Sequence, residues 1–345
     1  MTADQFPLVS ICIPMYNGSA FIKTAIDSCL QQTYNNIEII VVDDGSADDS
    51  FSIVQQMAAS CDKIKLYRNP VNLKLVGNWK KSISLANGDW IKLLFQDDYM
   101  EAGCIQKMMT ACLEHKVQFA LCARAFEFET SANANTAAYL SNKLKLPEDI
   151  FINKQCFSPA ESADLAKHYL LENILGEPVC TLFHRNLYTQ VNGFNETLRQ
   201  LVDYEFALKI ILNHPFCFIN EKLIHFRVHD QSASSKNTSS NSEKDLLADT
   251  KILSREGDFL KLLQLYQTDK LFAPLQSWWT AERLAIYQQY IYLKACKKKG
   301  ETRIQTVLEG IIKDIPAITG YRYSFLKYLW VKYTFNRRVK PYLHY

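Results

Sequence analysis

Along the first hundred positions, short apolar runs alternate with stretches in which apolar residues recur every three or four places. Runs rich in β-branched residues and ended by Pro, Gly, Asn or Asp predict strands buried on both faces, and the i, i+4 stretches predict helices with one buried face. Leu8 to Pro14 (LVSICIP) is the first such run, and Pro14, which has no N–H for a ladder, is expected to close it. A turn at Tyr16-Asn17-Gly18 leads to a helix expected to start at Ser19, with Phe21, Ile22, Ala25, Ile26, Cys29 and Leu30 on its buried side. Ile37 to Val42 (IEIIVV) is the next strand and runs straight into Asp43-Asp44-Gly45-Ser46. A second helix capped within Ser46 to Ser50, a third strand over Ile64 to Tyr67, a loop over Asn69 to Gly77 and a third helix over Asn78 to Ala86 follow, with Gly88 expected in the left-handed conformation. The fourth run, Trp90 to Phe95, ends abruptly in Gln96, Asp97 and Asp98.

Strand, helix and strand in this order form right-handed crossovers with parallel strands, so the fold class is α/β with a doubly wound, mostly parallel sheet. The loops that follow the strands then share the carboxyl edge, where open α/β sheets bind ligands. Paired carboxylates at that edge can hold a divalent cation, which can hold a diphosphate. Asp pairs can equally cap the turn or helix that follows, and both readings stand for Asp43-Asp44 and for Asp97-Asp98.

Composition narrows the class. With 48% hydrophobic and 22% charged residues the chain is globular rather than disordered, and 345 residues imply two domains, or one large domain with an extension. The amino terminus lacks a basic and apolar leader pattern, and no run reaches the roughly 18 to 20 apolar residues of a spanning helix, so a cytoplasmic protein is expected. Ten cysteines scattered singly, without a CxxC pair, suit reduced thiols better than disulfides or zinc. A net charge of +3 from 39 basic and 36 acidic residues argues against nucleic-acid binding. The charge is uneven: Tyr321 to Tyr345 holds six Lys or Arg and no acid.

PMYN from Pro14, VVDDGSADDS from Val41, an Asn- and Gly-containing loop and ANGDWIKLLFQDD from Ala86, in that order, resemble the nucleotide-sugar half of family 2 inverting glycosyltransferases of the GT-A fold, over about residues 7–125. Further on, Leu175-Gly176-Glu177-Pro178, Val179 to Arg185 and Val191 to Asn195 are similar to the segment lining the family's donor-sugar and acceptor site. Asp203-Tyr204-Glu205 matches the motif whose Asp is the catalytic base, and Arg227-Val228-His229 a closing motif whose His is a metal ligand in some members. The resemblance implies a nucleotide-sugar-binding half over 1–125, an acceptor-binding and catalytic half over 126–235, and a helical C-terminal extension over 236–345. It assigns the donor to Pro14, Tyr16, Asn17, Asp44, Asn78, Gln96, Asp97, Gly176 and Glu177, and general-base catalysis to Asp203. A Mg²⁺ or Mn²⁺ ion is assigned to Asp97, Asp98 and His229. Phe95 departs from the pattern, standing where the usual D-x-D-D sequence has its first Asp.

What the resemblance implies is transfer, with inversion, of a sugar from a nucleoside diphosphate sugar, UDP-linked by expectation, to a glycan or lipid-linked acceptor in surface polysaccharide synthesis. Such a displacement needs one base and a metal rather than the two carboxylates of a glycosidase. A dinucleotide-binding oxidoreductase would need G-x-G-x-x-G after the first strand, and PMYNGSAF has one glycine there. A nucleotide-sugar-binding protein with degenerate catalysis is the alternative that Phe95 keeps open. Ser232 to Ser242 reads as a polar linker, and Leu246 to Lys297 as helical. In the basic tail, Leu326, Leu329, Trp330 and Tyr333 at helical spacing among Lys327, Lys332, Arg337, Arg338 and Lys340 fit either an in-plane helix on an anionic membrane or a helix packed on its predecessors.

Overall fold

Strands β1 (Val9–Met15) and β2 (Ile37–Asp43) are buried from end to end. This follows from runs with no polar alternation, which can only sit inside a sheet covered on both faces. In a computed structural model describing residues 6–343, except 131, 133, 135, 136, 138, 139, 141–145, 153, 170–172, 231–245 and 320, they form the centre of a mixed sheet. With β3 (Ile64–Arg68) and β4 (Trp90–Leu93) they run parallel in the order β3-β2-β1-β4. Helices α1 (Ile22–Leu30), α2 (Ser50–Ala59) and α3 (Lys74–Leu85) connect them. Met15 stands opposite Asp43, so the loops after β1 and β2 leave the sheet at the same level.

Local details differ from the sequence expectation, each for a physical reason. Pro14 lies inside β1, opposite Val42, rather than ending it; the ladder to β4 stops at Cys12, which relaxes the demand for a donor beyond that point. Ser19 does not cap α1, whose N-cap is Phe21, because the Ser19 amide is bound by Asp48 Oδ2 at 3.0 Å. Helix α3 starts at Lys74, four residues early, and incorporates Gly77. Gly88 is not left-handed. It is needed for space, because a Cβ there would lie 2.5 Å from the Leu8 carbonyl oxygen and 2.8 Å from Ser10 Oγ, and the Gly88 amide donates to that hydroxyl at 2.9 Å.

Beyond β4 the sheet turns mixed. β5 (Tyr99–Met100), β6 (Phe119–Phe128), β7 (Cys156–Phe157), β8 (Thr181–His184) and β9 (Phe216–Val228) complete it in the order β4-β8-β6-β9-β5, with β7 also on β9. β8 is antiparallel to β4 and β6, while β6 and β9 are parallel. β9 is one long strand, although exposed Asn220, Glu221 and Lys222 interrupt its apolar sequence at a shift of register with β6. Antiparallel pairing sets Cys156 directly opposite Cys217, and the two form a disulfide. That corrects the expectation of reduced thiols throughout; the other eight cysteines are free.

Helices α4 (Cys104–Glu114), α5 (Pro159–Ala166), α6 (Arg185–Gln190), α7 (Val202–Asn213), α8 (Leu246–Thr268), α9 (Ala281–Lys299), α10 (Glu301–Ile312) and α11 (Phe325–Arg338) follow, with single turns between some of them. The chain forms two compact units, and both are discontinuous in sequence, cutting across the functional divisions expected at 125 and 235. Met1–Ser158, Ile174–Glu196 and His214–Asp230 make the unit that holds the sheet. Pro159–Asn173, Thr197–Asn213 and Gln231–Tyr345 make an all-helical unit, with Tyr204, Tyr266 and Trp279 in its core. In that unit Tyr204 Oη donates to the Tyr169 carbonyl at 2.7 Å and Trp279 Nε1 to the Lys167 carbonyl at 2.7 Å. Gly300, at φ 88°, ends α9, three residues beyond the Lys297 limit of the helical pattern. The polar stretch Ser232 to Ser242 lies outside the described residues.

Gly88→Ala should lower stability by ~1 to 3 kcal/mol, since the intruding methyl meets backbone that cannot step aside. Urea unfolding measures it, and an unchanged midpoint would show that β1 and the turn before β4 are not packed this closely.

Candidate active site

Three loops leave the carboxyl edge of the parallel strands, and their polar groups fasten them together. Asn17, left-handed at φ 49°, donates its amide to Ser46 Oγ at 2.9 Å while its Oδ1 accepts from the Ala47 amide at 2.8 Å. The amide of Gly18 donates to Ser50 Oγ at 2.8 Å, which ties the loop after β1 to the start of α2. Gln96, just beyond β4, grips the backbone of Tyr16 on both sides, accepting from its N–H at 2.8 Å and donating to its carbonyl at 3.1 Å. A Cβ on Gly18 would lie 2.4 Å from Gln96 Cδ, so this clamp requires glycine there. The Tyr16 side chain is left half-exposed above the clamp.

Asp43 and Asp44 are both buried but do different things. Asp43 accepts from the Ser46 amide at 3.1 Å and pairs with Arg68 Nε at 3.1 Å, closing the turn. Asp44 Oδ1 accepts from Asn69 Nδ2 and from the Leu73 amide, each at 2.8 Å. Its Oδ2 takes no hydrogen bond from the described residues. Asn78 is buried, with Nδ2 donating to the Val42 carbonyl at 3.0 Å and Oδ1 accepting from Asn69 at 3.0 Å. It therefore supports the residue that orients Asp44.

Asp97 and His229, far apart in sequence, meet where the chain leaves β4 and β9: His229 Nε2 is 3.1 Å from Asp97 Oδ2. The imidazole is buried beside the Phe21 ring, 4.6 Å between centroids, and its Nδ1 has no hydrogen-bond partner among the described residues. Asp98 turns away from this pair. Its Oδ1 accepts from the Arg227 amide at 3.0 Å, pinning the strand that delivers His229, and its Oδ2 is buried without a hydrogen-bond partner among the described residues. Burial, and next the charge of Asp97, hold the Asp98 carboxyl well above the usual carboxylate range.

The donor set fits a hard divalent cation: a partly exposed carboxylate and an imidazole are already in contact, and diphosphate and water oxygens would complete the coordination. Asp97 and His229 are the direct ligands this arrangement offers, and Asp98 a support. Among the described residues the trio whose ligand atoms come within 4.8 Å of one another is His115, Cys156 and Cys217, two of which are joined in the disulfide. Phe95, at the position where an acid was expected, stacks on Trp79 with centroids 5.0 Å apart.

Gly176 and Glu177 sit over a buried cation that the motif reading missed. Arg124 Nε lies 2.6 Å from Glu177 Oε2, and a Cβ on Gly176, whose φ is 80°, would come 2.7 Å from the same guanidinium. Burial opposes the Arg124 charge, but Glu177, Cys180 and Glu148 together more than offset it, and the pKa lies above the ordinary arginine value. Lys92, fully buried within β4, donates to the carbonyls of Leu93, at 3.2 Å, and Val179. A lysine inside an otherwise apolar strand run was the available signal for it.

In the helical unit, Asp203 is half-buried in the first turn of α7, its Oδ2 accepting from Asn173 Nδ2 at 3.2 Å. It is not the N-cap: the Leu201 carbonyl accepts the first helical bond, from the Glu205 amide at 2.9 Å. The turn leading into α7 is held from α8, where Asp258 Oδ2 accepts the amides of Arg199, Gln200 and Leu201 at 2.8, 2.5 and 3.1 Å.

The model of the family described as "Glycosyl transferase family 2" matches residues 10–166. An uncharacterized glycosyltransferase of Rickettsia typhi is 30% identical over 239 residues, 68% of this chain and 68% of that protein. A chondroitin synthase of Escherichia coli is 26% identical over 259 residues, 74% of this chain but 34% of the synthase, so the chain spans about a third of that relative's length. Among solved structures, S. aureus TarS 1–349 in complex with UDP superposes with a TM-score of 0.55 at 16% identity, covering 95% of this chain and 91% of that one. This likeness shows a shared fold.

Replacing Asp98 by Asn tests its protonation. The native carboxyl holds its proton to higher pH than the unfolded one, whose value is 3.8, so its contribution to stability is present at low pH and is lost as pH rises from about 4 through the raised native value. With chelator present, the melting temperature of wild type minus that of Asp98→Asn should fall across that window and then level off. A difference independent of pH would mean that the native carboxyl is ionised like the unfolded one.

Proposed function

We propose that this chain, which belongs to glycosyl transferase family 2, transfers a sugar from a UDP-sugar to a hydroxyl of a glycan or lipid-linked acceptor, with inversion, in the building of a surface polysaccharide. The observation that carries this reading is the pairing of two strand-end features at one sheet edge. Asp44 offers one oriented, unused carboxylate oxygen, and Asp97 meets His229. The first suits the imide N–H of uracil, and the second a diphosphate-bound cation. The likeness to a chondroitin synthase supports a polysaccharide product.

In this mechanism Tyr16, with Asn17 and Pro14 shaping its loop, borders the base, and Gln96 fixes the height of that loop against Asp97. Gly176 and Glu177, braced by Arg124, border the sugar. A Mg²⁺ or Mn²⁺ ion, held by Asp97 and His229 with Asp98 behind them, supplies Lewis-acid stabilisation of the leaving diphosphate when bound. The acceptor oxygen bonds to the anomeric carbon as the carbon–oxygen bond to the diphosphate breaks, and Asp203 takes the acceptor's proton. A second reading, nucleotide-sugar binding without transfer, is favoured by one observation, the use of Phe95 for packing on Trp79. Donor-dependent release of UDP separates the two. Contact with the cytosolic face of a membrane through residues 321–345 belongs to the first reading; no helix among the described residues is long and apolar enough to cross one.

Asp97→Ala should abolish turnover while leaving the melting temperature near wild type, because its carboxylate is at the open edge. Full activity of the wild type in excess chelator would remove the metal from the mechanism. Asp203→Asn keeps the shape and the contact with Asn173 but cannot take a proton, so transfer should drop by ~10²-fold or more. Donor affinity should stay close to wild type in that variant; an equal loss of affinity and rate would identify Asp203 as a folding residue.

A further inference from the structure

Helix α11 is built with two apolar faces, and only one is covered. Tyr328, Val331 and Phe335 are buried against α9, where Phe335 stacks on Tyr290 at 4.1 Å between centroids and meets Tyr287 at 5.1 Å. On the other side, Leu326 is 78%, Trp330 63% and Tyr333 60% exposed, joined by Phe325 and Leu329. These five are a third of the fifteen large exposed hydrophobics of the described chain, gathered on a helix of 14 residues. At ~100° per residue they fill a sector of about 140° opposite the packed face, so they form one surface rather than scattered exposures.

The charges around that surface are of one sign. Lys332 borders the sector on one side, Lys327 and Arg338 lie beyond the other, and Arg337 and Lys340 stand at its carboxyl end. Lys297, near the end of α9, reaches over the Phe325 ring at 5.6 Å and adds a cation at the amino end. The acids that come near are engaged: Glu282 pairs with Arg338, and Glu301 accepts from the Tyr323 amide at 2.8 Å.

We propose that the exposed face of α11 lies in the plane of an anionic phospholipid leaflet, with Leu326, Leu329, Trp330 and Tyr333 among the acyl-chain ends and the flanking lysines at the phosphates. Long basic side chains at the edges of an apolar sector reach outward to headgroups while their stems stay in the boundary. At ~1.5 Å per residue the helix is about 21 Å long, shorter than the ~30 Å hydrocarbon core, so it docks in the plane and does not cross. Trp and Tyr are the aromatics that settle at this depth, where one end of the ring is apolar and the other wet. The inference deepens the proposed use of a lipid-linked acceptor, but vesicle binding requires neither donor nor acceptor, so its failure would leave the transfer reading standing.

The test is co-sedimentation of the full-length protein with phosphatidylcholine vesicles containing or lacking phosphatidylglycerol. Binding is expected on the anionic vesicles at low salt and is released by high salt. Leu326→Ser with Trp330→Ser should weaken it by about tenfold or more, given that each buried side chain contributes a few CH₂ equivalents. Lys327→Glu with Lys332→Glu should weaken it by more than roughly fivefold per cation. Leu326, Trp330 and Lys332 are exposed and Lys327 is half-buried over the Tyr321 ring, so circular dichroism should match wild type in both double variants, and the thermal midpoint should match it in the Leu326 and Trp330 variant. Equal binding to neutral vesicles, or binding untouched by either double variant, overturns the inference. So does a wild-type dimer, seen by sedimentation, that the Leu326 and Trp330 substitutions dissociate without any vesicle binding; a second copy would then cover the face.

Discussion

A buried strand that ends in acids must find hydrogen-bond partners for them within a few ångströms, and that demand governs the geometry of the catalytic edge. Leaving such a group unpaired costs about 1 to 3 kcal/mol, more when it is charged, so the loops are selected for donors as much as for shape. Asp43 takes its donors from its own turn and from Arg68, Asp44 from the Asn69 to Leu73 segment, and Asp98 from the backbone of Arg227. Each bond recruits a different stretch of chain. Together they immobilise the groups left over, Asp44 Oδ2 and the Asp97 to His229 contact.

The same logic separates residues that resemble one another in sequence. Asp43 and Asp44 are neighbours of one type, and Asp97 and Asp98 likewise, yet in each pair one member is consumed by structure and the other is presented. Asp43 ends β2 with Asp44 just beyond it, and Asp97 and Asp98 stand in the turn after β4, so the two acids of each pair leave the chain in different directions and find different partners. Asn78, assigned to the donor by resemblance, accepts from Asn69, which in turn donates to Asp44.

The parallel half of the fold was legible because each buried strand is a continuous apolar run and each helix has one apolar stripe, and these depend on local sequence alone. Asp97 and His229 were also legible, but through motif resemblance rather than spacing, as no local pattern brings together residues on two different strands. What could not be read rests on long-range contact. The Cys156 to Cys217 disulfide depends on a two-residue strand finding β9. Gly88 looked like a helix terminator and is instead a close approach to Leu8. Arg124 and Lys92 gave no motif, because a buried cation is defined by what lies over it.

The interleaving of the two units carries a consequence for the order of events during synthesis. The turn before α7 depends on Asp258, and the end of the same helix on the Leu271 carbonyl, to which Asn213 Nδ2 donates at 2.8 Å. Residues 199–201 and 213 therefore emerge from the ribosome well before Asp258 and Leu271, which hold them. The sheet can assemble first, and the helix bearing Asp203 is fastened last. A chain interrupted between residues 230 and 258 would hold every segment of the sheet-bearing unit but lack Asp258, the anchor of the turn before α7.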